Sequence, residues 1–288
     1  MDSLLTYLQK AREAKIAIGH FNISTIETFH AIVGACRETR LPVIIGVSEG
    51  EAQFFNIEDV AVLVQRVREK ENIPVFLNAD HFHDMALIER AARAGFDSIL
   101  CDFGKLPFDQ NCGQTQQATK LARRISRGIL IEGELGYLGS GSEIHQSVPA
   151  GAQVLEKDFT TPEQAREFQK QAGVDLLSPA VGSFHGMAAS ANEHISIPHI
   201  QALREHTDLF LVLHGGSGLS DQDFTNAIQA GINVIHINTE LRVLWRKSAT
   251  QAFSEHPDEI APYKLLESVG AVLQKHISER MRLFAGQK

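Results

Sequence analysis

The sequence predicts an α/β fold, a single (β/α)8 TIM barrel with extra C-terminal helices, with residues 1–288 as one domain. Three observations lead there. Short β-rich apolar runs alternate with longer helical patterns along the chain, which is the mark of parallel βα units. There are eight such runs, the number that closes a barrel, although an open doubly wound sheet is the architectural alternative. The length of 288 residues suits a barrel, which runs to about 250 residues or more as one domain.

The first segment, MDSLLTYLQKAREAK, has the spacing of an amphipathic helix rather than a signal peptide. Candidate strands then end at Asn22 (IAIGHFN), Ser48 (PVIIGVS), Asp80 (PVFLNAD) and Asp102 (SILCD). Four more end near Glu134 (GILIEGE), Gly182 (LLSPAVG), His214 (LFLVLH) and Thr239 (VIHINT). Between them lie helical patterns such as IETFHAIVGACRE, IEDVAVLVQRVREK, MALIERAARAG, TPEQAREFQKQAG and DQDFTNAIQAG. Thr161-Pro162 has the form of a helix start, and Gly95, Gly173 and Gly231 the form of helix stops. From about Pro257 the pattern is additional helix, placed to cover a barrel end or an oligomer contact.

Composition narrows the function classes. The net charge is −8 and the sequence pI about 5.9, which argues against a nucleic-acid partner. Apolar residues make up 43%, ordinary for a globular protein, and no apolar run is long enough to span a bilayer. Cys36, Cys101 and Cys112 show no CxxC spacing and no disulfide framework, so a reducing, cytoplasmic setting is expected.

Strand interiors of a parallel barrel are buried and should be apolar. These strands obey that rule until their C-terminal ends, where Asn22, Ser48, Asp80-His81, Asp102, Glu134, His185, His214 and Asn238-Thr239 fall. A barrel gathers those ends at one mouth, where barrel active sites lie. Asp80 is a general base beside a metal ligand, or else a helix N-cap in competition with Asp84. Spacing does not choose between His81 and His83 as the ligand. Of the 13 histidines, His145, His194, His199, His256 and His276 have the ordinary structural or surface setting. Histidines at the ends of three different strands are another matter, because three protein nitrogens with an open fourth position form the usual catalytic zinc site.

GGSG at Gly215–Gly218, before a helical pattern, is a candidate phosphate cradle. It falls after the seventh strand and Asn238-Thr239 after the eighth, the barrel loops that often hold a phosphate. Glu132 and Glu134 lie on one face of the fifth strand by alternation, and buried carboxylates there need a partner. The glycine-rich GYLGSGSE that follows has the composition of a mobile loop or lid.

These segments, in order, carry a family resemblance over nearly the whole chain. AIGHFNISTIETFHAIV, PVIIGVSEG, NADHFHD, GFDSILCDFGKLPF, IEGELGYLG, VGSFHGM, LVLHGGSGL, INTELR and ERMRLF resemble the class II (zinc-dependent) fructose- and tagatose-bisphosphate aldolases. The resemblance implies Zn2+ as cofactor, with a monovalent cation as a second one, and a phosphorylated sugar substrate. It implies a cytoplasmic homodimer or homotetramer with no membrane partner. His81, His185 and His214 match the zinc ligands, and Glu134 a carboxylate that approaches the metal. Asp80 matches the carboxylate that exchanges a proton with the C4 hydroxyl. Gly186, Gly215, Gly216, Ser217 and Thr239 match phosphate-binding positions, with Asn238 in the same motif; Asn22 and Ser48 match substrate contacts. Arg280 lies where the family places an arginine for the distal phosphate, often from a neighbouring subunit.

Three departures bear on the substrate. The loop after the fifth strand is GSGSEIH, with Glu143 as its acid, where the family has GGxEDG. The segment HGMAAS lacks the family's tyrosine and lysine. His236 stands in HINTE where the family usually has an asparagine that holds the three-carbon fragment. The expected reaction is aldol cleavage of a ketose bisphosphate or related phosphorylated ketose. The alternatives are an isomerase, epimerase or other lyase on the same zinc barrel, and a non-catalytic sugar-phosphate-binding paralogue.

Overall fold

The computed structural model describes residues 2–139, 143–145, 155–188 and 195–287. Eight parallel strands close into a barrel: β1 Ile18–Asn22, β2 Val43–Ser48, β3 Val75–Phe82, β4 Ser98–Cys101, β5 Leu130–Leu135, β6 Leu176–Pro179, β7 Phe210–Leu213 and β8 Ile232–Ile237. Each strand pairs with its neighbour in chain order, and β8 returns to β1 with Ile18 opposite Val234 and His20 opposite His236. The expected barrel is therefore present and the open sheet is not.

Helix starts follow the local chemistry. Thr161 caps Pro162–Ala172 in a reciprocal box with Gln164, and Asp84 caps Met85–Ala94 through Ala86 N–H. Gly95 and Gly173 close their helices with φ of 88° and 69°, the left-handed stop that glycine adopts without strain. Gly231 closes Asp221–Ala230.

Some boundaries differ from the sequence-based expectation. β3 runs two residues past Asp80, so His81 is inside the strand and not beyond it. β6 stops at Pro179, which has no N–H for the ladder, and Gly182 turns the chain at φ 107°. β8 stops at Ile237, because Asn238 and Thr239 already begin the helix Thr239–Glu255. A short helix, Glu49–Phe54, follows β2 directly; Ser48 and Glu51 form its capping box.

The two ends of the barrel differ. The N-terminal helix Leu4–Ala14 lies across one end, where Leu4, Leu8 and Ala11 pack on Ile18, Ile44, Phe76, Leu130, Phe210 and Val234. Burying a leucine such as Leu8, which is 0% exposed, contributes roughly 2 kcal/mol. The closing helix Pro262–Phe284 does not cover an end. It lies along the barrel's flank beside β1, where Phe284 O accepts from Ala17 N–H at 2.9 Å. At the opposite, open end, a two-residue parallel pairing joins Ile144–His145 to Met187–Ala188, linking the connections after β5 and β6. Part of the glycine-rich stretch expected to be a lid, residues 140–142, lies outside the described residues, as do His194 and the side chain of His145.

Candidate active site

The open end carries the polar strand termini. A cavity of about 280 Å³ there is lined by Asn22, Ser48, Asp80, His81, His185, Gly186, His214, Gly215, Gly216, Ser217, His236, Asn238 and Thr239. These residues come from six strands or the loops after them, and topology alone brings them together.

Three imidazoles form its centre. His81, His185 and His214 each offer a ring nitrogen within 4.8 Å of the others. His81 and His185 meet edge to face at 4.5 Å, His81 and His214 at 4.7 Å. His83 is half exposed, stands outside this cluster and leans toward Asp102 and Glu49, so of the two histidines it is His81 that meets His185 and His214. His81 has φ of 52°, a left-handed conformation that costs a non-glycine residue about 1–3 kcal/mol and tends to sit at functional sites.

Each of two rings is braced from behind by a carboxylate. Asp102 Oδ2 holds His81 Nδ1 at 2.8 Å, and Glu132 Oε1 holds His214 Nε2 at 3.0 Å. That leaves His81 Nε2 and His214 Nδ1 facing one another at 3.1 Å. His185 Nε2 is buried and has no hydrogen-bond partner. Nitrogen donors aimed at one point, oriented by carboxylates on their far sides, are the usual build of a metal site, and an all-imidazole donor set suits a borderline ion such as zinc.

Electrostatics in the protein alone follow from burial and proximity. Burial lowers the affinity of His81 for a proton, but Asp80, Asp102 and Glu134 outweigh it and raise its pKa to about 10. Burial, reinforced by the neighbouring imidazoles, holds His185 and His214 well below the usual histidine value. Burial also pushes Glu132 up to about 7 and raises Glu134 well above the usual carboxyl value. Asp80 is buried too, yet His81 and His236 hold its carboxyl well below the usual range. It is therefore an anion, and it caps no helix: Asn22 Nδ2 donates to its Oδ2 at 2.9 Å.

The phosphate-type residues occupy one side. Gly215 has φ of 65°, and a Cβ there would meet Phe184 O at 2.2 Å, so only glycine fits. The expected cradle differs in one respect: two residues, Leu219 and Ser220, separate the glycine turn from the helix Asp221–Ala230, whose N–H groups are capped by Ser220. The helix Thr239–Glu255 also starts at the mouth; its N-cap Asn238 makes no side-chain cap bond, and Ser217 Oγ accepts from Glu240 N–H at 3.2 Å. N–H groups at such an end attract an anion.

Ser48 Oγ is engaged by Glu51 Oε2 at 2.9 Å. Glu134 does not line the cavity; its Oε2 lies 3.7 Å from His81 Nδ1 and is buried with no hydrogen-bond partner. Arg280 is not brought to the cavity of its own chain. Its guanidinium pairs with Glu240 at 2.8 Å and Asp221 at 2.7 Å, bracing the helix that starts at Thr239. Glu143 is exposed at the rim side of the short pairing.

Several site residues escaped the sequence reading. Glu51 is buried and holds Asn22, Ser24, Ser48 and Arg242 together; the Ser-x-x-Glu spacing was its signal. His20 sits two residues before Asn22 on the same strand face, which alternation would have shown. Lys105 and Arg242 also line the cavity.

The sequence matches the family described as fructose-bisphosphate aldolase class-II over residues 2–288. It is 31% identical to the fructose-bisphosphate aldolase of Geobacillus stearothermophilus, covering 98% of this chain and 96% of that one. It is 30% identical to a probable fructose-bisphosphate aldolase of Bacillus subtilis (strain 168), with the same coverage. Among solved structures, the YdjI aldolase from Escherichia coli K12 superposes with a TM-score of 0.81 at 28% identity, over 99% of this chain and 97% of that one. A barrel whose mouth gathers three imidazoles, two of them braced by carboxylates, with a buried carboxylate and a glycine turn agrees with these likenesses, and the chain belongs to the class-II fructose-bisphosphate aldolase family.

Proposed function

We propose that the chain, as one catalytic domain over residues 1–288, cleaves a ketose 1,6-bisphosphate or related phosphorylated ketose reversibly to dihydroxyacetone phosphate and an aldehyde. It is an aldolase, a carbon–carbon lyase, by family. The observation that carries the finer reading is the convergence of His81, His185 and His214, two of them carboxylate-braced, beside the Asp80 anion.

His81, His185 and His214 would hold Zn2+, which supplies Lewis acidity toward a carbonyl. Asp80 takes the proton of the C4 hydroxyl. The C3–C4 bond then breaks, its electron pair staying with the three-carbon fragment as an enediolate, and the aldehyde departs. Glu134, whose buried Oε2 lies 3.7 Å from His81 Nδ1, would approach the metal. Gly186, Gly215, Gly216, Ser217, Asn238 and Thr239 bind the phosphate of that fragment through turn and helix N–H groups. Asn22, Ser48 and His236 contact the sugar chain. Arg280, held within its own chain, serves the distal phosphate only across a subunit contact, so the reading includes a homodimer or homotetramer.

Cytoplasmic placement fits three buried free cysteines; no described helix is long and apolar enough to cross a membrane. Metal analysis should find about one zinc per chain. A coupled assay for dihydroxyacetone phosphate, run on fructose and tagatose 1,6-bisphosphates and a panel of ketose 1-phosphates, identifies the substrate. Titration with potassium or sodium salts tests the monovalent cation. Zinc-loaded protein that releases no triose phosphate from any of them overturns the reading.

A further inference from the structure

Behind Asp80 lies a stacked pair of rings, and the proposed chemistry gives one of them, His20, no role. His20 and His236 stack with centroids 3.5 Å apart and planes 6° from parallel. Both are buried, at 0% and 6% exposure. The stack follows from register, since His20 on β1 stands directly opposite His236 on β8. Room for it is made on the next strand: a Cβ at Gly46 would meet His20 Cε1 at 2.1 Å.

The orientation of His20 is fixed by a chain of donors. Ser98 Oγ donates to Asn78 Oδ1 at 2.7 Å, which commits the amide and turns Nδ2 toward His20 Nε2 at 3.1 Å. An amide nitrogen only donates, so Nε2 accepts and the ring is neutral, with its proton on Nδ1. Deep burial favours the same neutral form. On the other face of the stack, His236 Nδ1 lies 3.3 Å from Asp80 Oδ1. Neither atom has a hydrogen bond elsewhere, whereas the other carboxylate oxygen is already taken by Asn22.

We propose that His20 is a positioning residue: stacked on His236, it fixes that ring against Asp80 Oδ1 and so locks the carboxylate that exchanges the C4 hydroxyl proton. The terminal torsion of a histidine is broad and sets no ring plane by itself. A flat neighbour at stacking distance sets it here. With Asn22 on one oxygen and His236 on the other, the carboxylate has a single orientation. Displacement of a catalytic group by about an ångström can cost on the order of 100-fold in rate. The inference rests on the assignment of Asp80 above.

The experiment compares two rates in zinc-loaded protein. Cleavage of the best ketose phosphate uses Asp80. Exchange of the C3 proton of dihydroxyacetone phosphate with deuterated solvent involves no C4 hydroxyl and so does not. Asp80→Asn should lose cleavage and keep exchange, which secures the reading on which the inference rests; retained cleavage would remove that reading and the inference with it. His20→Ala should lower the kcat of cleavage about tenfold or more, with KM, zinc content and exchange within about twofold, and His20→Phe, which restores a flat ring, should recover most of the rate. With Asp80→Asn inactive, a His20→Ala enzyme of parental kcat, or one in which cleavage and exchange fall together, overturns the inference alone. A variant-free measurement stands beside these. The imidazole ¹⁵N spectrum of the parent should show His20 neutral with its proton on Nδ1, and a protonated Nε2 overturns the orienting chain.

Discussion

The same eight strands end in two different materials. Toward the N-terminal helix they contribute Ile18, Ile44, Phe76, Leu130, Phe210 and Val234, and Leu4 and Leu8 close the layer as dry packing. Toward the mouth they contribute Asn22, Asp80, Glu132, Glu134, His214 and His236, all buried. Burying ionisable groups is costly unless they are paired, and at the mouth the pairing is incomplete: Glu134 Oε2 and His185 Nε2 have no protein hydrogen bond. One end therefore holds the barrel together, and the other stores unsatisfied polar capacity that ligand and metal can use. Separate ends let a mouth change without loss of the fold.

The comparison can be broken or sharpened by four substitutions, in decreasing size of effect. His214→Ala removes a proposed ligand and releases Glu132. It should abolish zinc retention and lower turnover by roughly 10³-fold or more, about 4 kcal/mol, as read by metal analysis and steady-state kinetics. At the floor, Leu8→Ala should cost about 2–5 kcal/mol of stability in denaturant unfolding while kcat/KM stays within about twofold; a large kinetic effect would break the independence of the two ends. Glu134→Gln replaces a carboxyl that burial pushes up with a neutral group of the same shape. The metal-free protein should melt at or above the parent, with turnover reduced, because a neutral amide avoids the cost of burying the carboxyl.

The smallest effect lies between the two ends. Glu240 is largely buried, which by itself raises its pKa, but His276 and Arg280 outweigh this and hold it below 4.5. A carboxyl with a depressed folded pKa contributes stability above its unfolded value and loses it as pH falls through the folded one. Glu240→Gln should thus be less stable than the parent by about 1 kcal/mol near neutrality. The gap should narrow below about pH 4.5, followed by thermal melts across pH. A gap that widens on acidification would mean that the Arg280 cluster does not brace the mouth.

Much of this was legible in the sequence, because polar residues at the ends of apolar runs break the rule that barrel strands obey. Asp80, His81, His185 and His214 were visible in that way, as was the glycine turn that fills the space beside Phe184. His20 was not. It lies within a strand, and its meaning depends on a neighbour 216 positions further along, set opposite it by the closing pair of strands. Glu51 carried a signal, but the signal of a helix cap, and only packing shows its second carboxylate oxygen engaging Ser24 and Arg242. Arg280 was placed by likeness at a distal phosphate, and nothing in the surrounding sequence reveals that Glu240 and Asp221 hold it. The helix whose N-cap makes no side-chain bond differs from the one next to the glycines: Ser220 caps Asp221–Ala230, whereas Asn238 in its actual backbone conformation caps nothing.

The tie between Ala17 and Phe284 bears on how the molecule is made. The opening strand receives its flanking cover from the last helix of the chain, and its second strand partner from residues beyond 230. Long-range pairings of this kind are slow to form and aggregation-exposed while they wait. The first strand therefore keeps an open edge and an uncovered flank until residues more than 200 positions away have folded back onto it.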